Sequence, residues 1–135
     1  MITVDIFADG GLNSIGGYGS FKVSERDDNR FLGFSMNYVP LPLAQTSNEA
    51  EYYIQLYALD KLFRTIGQNT EVAEDFALSL HSDSQLVVNQ TAGLWSVHAD
   101  NLKVLRADLL AILNIFGSWE ITWVQRSVMI ALFGH

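Results

Sequence analysis

Apolar and polar residues alternate over residues 2–8, ITVDIFA, which is the period of a strand with one face buried. The same pattern returns in residues 18–24 (YGSFKVS) and 31–38 (FLGFSMNY). DGGLNSIGG and the polar ERDDNR separate these runs, and Pro40 and Pro42 end the third. Three strands so close in sequence predict an antiparallel meander. From Ser47 to about Ile66 the period lengthens: Tyr52, Leu56, Leu59, Phe63 and Ile66 step by four and three, as on one buried helical stripe. FALSLH (76–81) predicts a fourth strand and SQLVVNQTAG (84–93) a short helix closed by Gly93. Residues 101–116 predict a further helix, with Leu102, Leu105, Leu109, Ile112 and Phe116 inward, and WEITWV (119–124) a fifth strand. The tail RSVMIALFGH has room for a last helical turn or two.

The order β-β-β-α-β-α-α-β predicts an α/β domain. Its sheet is mixed, its later strands parallel, with helices packed on its faces. No repeat, low-complexity run or linker divides the chain, and its 135 residues are expected to form one domain, 1–135, with a substantial core. No apolar run is long enough to cross a membrane, and the opening MITVDIF lacks the basic start of a signal peptide. The absence of cysteine excludes disulfides and thiolate metal sites, and a cytoplasmic setting is expected. The net charge of −7 argues against a general electrostatic grip on nucleic acid. Any nucleic-acid function then needs local contacts or bound cations.

The acidic residues at element ends carry the candidate chemistry. Asp9 follows the first strand and precedes two glycines, as a turn Asp would, or as a carboxylate beside a backbone open to close approach by a ligand. Thr46 and Glu49 form a capping box for the long helix, whereas Glu51 lies beyond the cap and gains little from it. In HSDSQLVVNQ, Ser82 with Gln85 reads as a second capping box, with Asp83 at the positive end of the helix dipole. If strands one and four are neighbours, Asp9, Asp83 and Glu51 converge. Three converging carboxylates repel one another unless cations lie between them. Their oxygens suit Mg²⁺ or Mn²⁺, and a pair of such ions about 4 Å apart supports phosphodiester cleavage.

With these residues in view, the sequence resembles a type 1 ribonuclease H. DIFADGGLNSIGGYGSF resembles the family's first hairpin, and TSNEAEYYIQLYAL its helix with the pattern Thr-Asn-Asn-x-Ala-Glu-Tyr. SDSQLVVNQTAGLW resembles the third motif, and GLWSVHADNLKVL its continuation. The likeness covers about residues 1–125. It implies a ribonuclease H-like fold: a five-stranded mixed sheet, strands one to three antiparallel, four and five parallel to one, with helices on both faces. It implies metal-dependent endonucleolytic hydrolysis of the RNA strand of an RNA–DNA hybrid, leaving 5′-phosphate and 3′-hydroxyl ends. Asp9, Glu51 and Asp83 would hold two Mg²⁺ or Mn²⁺ ions. Asn13, Asn48 and Gln85 stand where family members meet the hybrid's minor groove and its 2′-hydroxyls. Trp95 would pack on the DNA strand, or else be a partly buried core residue.

The resemblance breaks after strand five. The family pattern Arg-x-x-Asn-x-x-Ala-Asp supplies a fourth carboxylate, but here Met129 replaces the Asn and Phe133 the Asp, and only Arg126 is kept. His135, two positions further on, is the candidate substitute, as in some Holliday-junction resolvases of related fold; the alternative is a His with no role. An Asp-Glu-Asp-His site would favour Mn²⁺, since imidazole suits it better than Mg²⁺. The family's basic protrusion is missing too: eight residues separate Gly93 from Leu102, none of them Lys or Arg. Weak, salt-sensitive substrate binding is expected, with an accessory protein one way to strengthen it. The chain is otherwise expected to be a monomer. Two competing readings are a nuclease for another nucleic acid and a catalytically inactive binding module. A phosphate-binding loop at GGLNSIGG is disfavoured, because it lacks the Gly-Lys-Ser/Thr ending and joins two strands.

Overall fold

The computed structural model describes residues 1–26 and 33–135. Residues 27–32, which take in most of the expected polar turn and the start of the expected third strand, lie outside them. The elements are β1 (Ile2–Leu12), β2 (Gly17–Glu25), β3 (Gly33–Pro40), α1 (Ser47–Gln68), a 3-10 turn (Ala73–Asp75), β4 (Phe76–Ser82), α2 (Gln85–Thr91), α3 (Asp100–Leu113), β5 (Ser118–Trp123) and α4 (Arg126–Phe133). The five strands form one sheet in the order β3-β2-β1-β4-β5. β1, β2 and β3 pair antiparallel, and β4 and β5 run parallel to β1. This is the mixed sheet that the element order predicts.

Alternation along β1 divides its two faces. Val4, Ile6 and Ala8 are fully buried beneath α1, together with Phe21, Val23, Leu78 and Leu80 from the neighbouring strands. α3 packs against α1 on that side. Asp5, Phe7 and Asp9 point to the opposite face, where α4 approaches β1 near Asp9.

β1 runs further than its apolar alternation suggests. Asp9, Gly10, Gly11 and Leu12 continue the ladder against Ser20, Gly19, Tyr18 and Gly17, so Asp9 lies inside the strand and not at its end. The turn is short, and Asn13 closes it by accepting from the N–H groups of Ile15 (2.9 Å) and Gly16 (3.1 Å). Gly10, the first glycine after Asp9, therefore has another use. A Cβ on Gly10 would stand 2.5 Å from the Ala50 carbonyl oxygen, and one on its cross-strand partner Gly19 would stand 2.6 Å from Ile54. The missing side chains admit the first turns of α1, not a ligand.

Two helix details differ from expectation. In α1, Phe63 is 43% exposed, and Leu62 is buried in its place with Ile54, Ala58 and Leu59. The helix is covered by the sheet and by α3 together, so its buried surface is broader than a single stripe. The N-cap of α2 is Ser84, which accepts from the Val87 N–H at 3.2 Å. Ser82 instead accepts from the Ser84 N–H, so Gln85 opens the helix and closes no capping box. At α1 the cap is as expected: Thr46 accepts from the Glu49 N–H, while Glu49 reaches back to the Gln45 N–H.

Gly10→Ala should destabilise the protein by about 2 kcal/mol or more, since backbone blocks the new methyl. Gly67→Ala, in α1 with nothing within 4 Å of the added carbon, should instead stabilise by up to about 1 kcal/mol. Urea unfolding of both variants checks the pair.

Candidate metal centre

Three elements bring the carboxylates together. β1 and β4 are parallel neighbours with Phe7 opposite His81, so Asp9 and Asp83 follow two residues later on the same face and at the same end. α1 crosses above Gly10 and carries Glu51 to that end, where Glu51 Oε1 accepts from the Gly10 N–H at 3.2 Å. Ligand oxygens of Asp9, Glu51 and Asp83 lie within 4.8 Å of one another. The surroundings hold them in place. The Trp123 indole donates to the Asp83 carbonyl at 3.1 Å. The buried Tyr52, next to Glu51, donates to Gln90 at 2.8 Å and ties α1 to α2.

Such a cluster in a buried setting is electrostatically costly. Burial pushes the Asp9 carboxyl up, and the Asp83 charge adds to this, against the pull of Arg126. Burial drives Glu51 well above the usual carboxylate range, and the charges of Asp9 and Asp83 push it further. One nitrogen of Arg126 offsets part of this. Its Nη1 donates to both oxygens of Asp9 at 3.1 Å and to Asp83 Oδ2 at 2.8 Å. A guanidinium thus stands as cation between two carboxylates, on a side chain that is itself 54% exposed. Glu51 Oε2 is buried without a hydrogen-bond partner. An all-oxygen donor set, one orphaned oxygen and a tethered cation standing in between suit a hard divalent ion.

Comparison with known proteins agrees with this geometry. No family profile matches the chain. A ribonuclease HI of Halobacterium salinarum is 34% identical over 85 residues, 61% of this chain and 37% of that protein. The chain thus spans little more than a third of the length of that relative. Among solved structures, the N-terminal ribonuclease H domain of a Mycobacterium tuberculosis protein superposes with a TM-score of 0.73 at 26% identity, over 93% of this chain and 89% of that one. The ribonuclease H1 of Halobacterium salinarum gives 0.71 at 23%, over 93% and 88%. LC11-RNase H1, solved in complex with an RNA/DNA hybrid, gives 0.68 at 24%, over 93% and 87%. The chain has the ribonuclease H fold, and these similarities support a type 1 ribonuclease H.

α4 carries the positions at which the sequence departs from the pattern that it resembles. Met129 is fully buried and Phe133 nearly so. His135 follows the left-handed Gly134 and turns back toward β1, with Nδ1 3.1 Å from Asp9 Oδ2. It does not join the three-carboxylate group but flanks it on Asp9. Its ring is enclosed by Tyr18, Tyr38 and Phe133, at centroid distances of 5.2, 4.8 and 5.9 Å. His81, from the same stretch as Asp83, is not at the centre: it pairs with Asp5 at 3.0 Å and stacks on Phe7.

The expected substrate contacts are all at the surface. Asn48 lies exposed in the first turn of α1 and Gln85 exposed at the start of α2. Asn13 is exposed too, but its side-chain oxygen is committed to its own turn. Trp95 is 48% exposed and does not belong to the core. It lines a hollow of about 360 Å³ with Gly93, Leu94, Lys103 and Arg106. Sequence reasoning missed three neighbours of His135, namely Ser20, Asn37 and Tyr38, which carry no motif. It also missed the placement of Arg126 between two carboxylates, although the family pattern marks that position.

In chelator, Glu51→Gln should keep the Gly10 contact and remove one charge. A carboxyl whose folded-state pKa is raised contributes most favourably below the unfolded carboxylate range and loses that contribution as pH rises through the folded value. The variant should therefore melt a few degrees above the parent at pH 8, and the gain should vanish toward pH 4. Arg126→Gln should melt lower than the parent in chelator but gain more on adding Mn²⁺. Thermal melts with and without the ion measure both.

Proposed function

We propose that this domain is a metal-dependent endoribonuclease that hydrolyses the RNA strand of RNA–DNA hybrids, leaving 5′-phosphate and 3′-hydroxyl ends. One observation carries the reading: Asp9, Glu51 and Asp83 share one small space with Arg126 as stand-in cation. That a ribonuclease H of the same fold was solved in complex with an RNA/DNA hybrid supports the substrate class. Asp9, Glu51 and Asp83 would hold the ions, and His135 would be a fourth ligand through Nδ1. Nδ1 lies 3.1 Å from Asp9 Oδ2, so the two residues would be able to share an ion. Bound Mg²⁺ or Mn²⁺ would activate a water and stabilise the leaving oxygen. The protein's own part is to keep the carboxylates converged, through α1 on Gly10 and Trp123 on Asp83, and to release Arg126 as the ions enter. Asn48 and Gln85 would meet the hybrid's 2′-hydroxyls, and Trp95 with Lys103 and Arg106 would receive the DNA strand.

The inactive-module reading finds no support in this geometry, because a merely structural domain gains nothing from a buried cluster of like charges. No helix among the described residues is long and apolar enough to cross a membrane. With a net charge of −7, substrate binding should be weak and steeply salt-dependent.

Labelled RNA–DNA hybrid should be cut in its RNA strand, better with Mn²⁺ than with Mg²⁺, while duplex DNA and duplex RNA stay intact. Asp9→Asn should abolish cleavage, and His135→Ala should lower it by about tenfold or more. Cleavage of duplex DNA instead, or none with either ion from folded protein, would reject the proposed activity.

A further inference from the structure

The environment of His135 determines which of its nitrogens faces Asp9. Gly19 pairs with Val39 and Phe21 with Met36, so Asn37 and Tyr38 together stand opposite the single residue Ser20. This is a β-bulge, a device that re-aims groups on the bulged strand. Tyr38 takes φ +52, in the left-handed region that a bulky residue rarely enters. The distortion turns the Tyr38 N–H onto Ser20 Oγ at 3.0 Å. It also brings Asn37 Oδ1 to the same hydroxyl at 2.5 Å. Asn37 Nδ2 donates to the Phe133 carbonyl at 3.4 Å, which orients the amide with its oxygen toward Ser20.

A serine hydroxyl has one hydrogen and two lone pairs. The Ser20 hydrogen goes to Asn37, and one lone pair takes the Tyr38 N–H. The other faces His135 Nε2 at 2.6 Å, so that nitrogen must donate. In the neutral ring Nδ1 then carries a lone pair. It is buried, has no hydrogen-bond donor, and faces Asp9 Oδ2. An acceptor nitrogen against an acceptor oxygen makes sense with a cation shared between them, and a ligating imidazole is commonly held in this way through its other N–H.

We propose that Ser20 and Asn37 are positioning residues that hold His135 as its Nε2–H tautomer and thereby present the Nδ1 lone pair to an ion on Asp9. This rests on the reading of His135 as a fourth ligand. The tautomer is read from imidazole ¹⁵N shifts of the metal-free full chain, which distinguish both neutral tautomers from the doubly protonated ring. Mn²⁺ affinity is read by calorimetry. The parent should show a protonated Nε2. Ser20→Ala and Asn37→Ala should both shift the ring toward a tautomer mixture and weaken Mn²⁺ binding by about tenfold, while Ser20→Thr should restore both readouts. Asn37 is at the surface, so its variant stays informative if the buried Ser20→Ala fails to fold. His135→Ala separates the two claims. If it leaves Mn²⁺ affinity unchanged, the fourth-ligand reading falls and this proposal with it. If it weakens binding while Asn37→Ala and Ser20→Ala change neither tautomer nor affinity, the positioning role alone is overturned.

Discussion

The close approach of α1 to β1 and β2 is the constraint on which the site depends. Gly10 and Gly19 are cross-strand partners, and the helix rests on both, through Ala50 and Ile54 one turn apart. A side chain at either strand position would lift the helix N-terminus off the sheet. Glu51 would then lose the Gly10 N–H and its place beside Asp9. The core beneath the helix, the sheet register and the carboxylate cluster thus share one close contact.

That contact gathers like charges into a space with little water. Burial and mutual repulsion raise the proton affinity of Asp9 and Glu51, and Arg126 relieves part of the strain by lying between Asp9 and Asp83. The arginine sits at the start of α4, half in solvent, and balances part of the carboxylate charge. The net charge of −7 works against polyanion binding in general.

α4 offers the site no carboxylate. Met129 and Phe133 make its inner side apolar, and the ring of Phe133 lies alongside His135. The helix ends in a left-handed Gly134, which bends the chain back toward Asp9. The β3 bulge then supplies partners for the far side of the imidazole. The apolar side of α4, the left-handed Gly134 and the β3 bulge together deliver one nitrogen to the edge of the carboxylate cluster.

The sequence by itself determined the element order, the mixed sheet and the identity of the three carboxylates. Those features arise from local periodicity, from the connections that helices impose on parallel strands, and from motifs of fixed spacing. It also marked the departure at Met129 and Phe133. Only the tertiary structure decided the rest. Apolar alternation ended β1 too early, because Gly10 and Gly11 have no side chains to alternate. Phe63 is exposed because a helix covered on two sides is not described by a single stripe. The cap of α2 falls on Ser84 and not Ser82 because that choice depends on where β4 stops pairing. Ser20, Asn37 and Tyr38 carried no signal at all. Their roles come from a bulge in strand pairing and from a chain reversal near residue 134, contacts across 17 to 115 positions of sequence that no local pattern encodes.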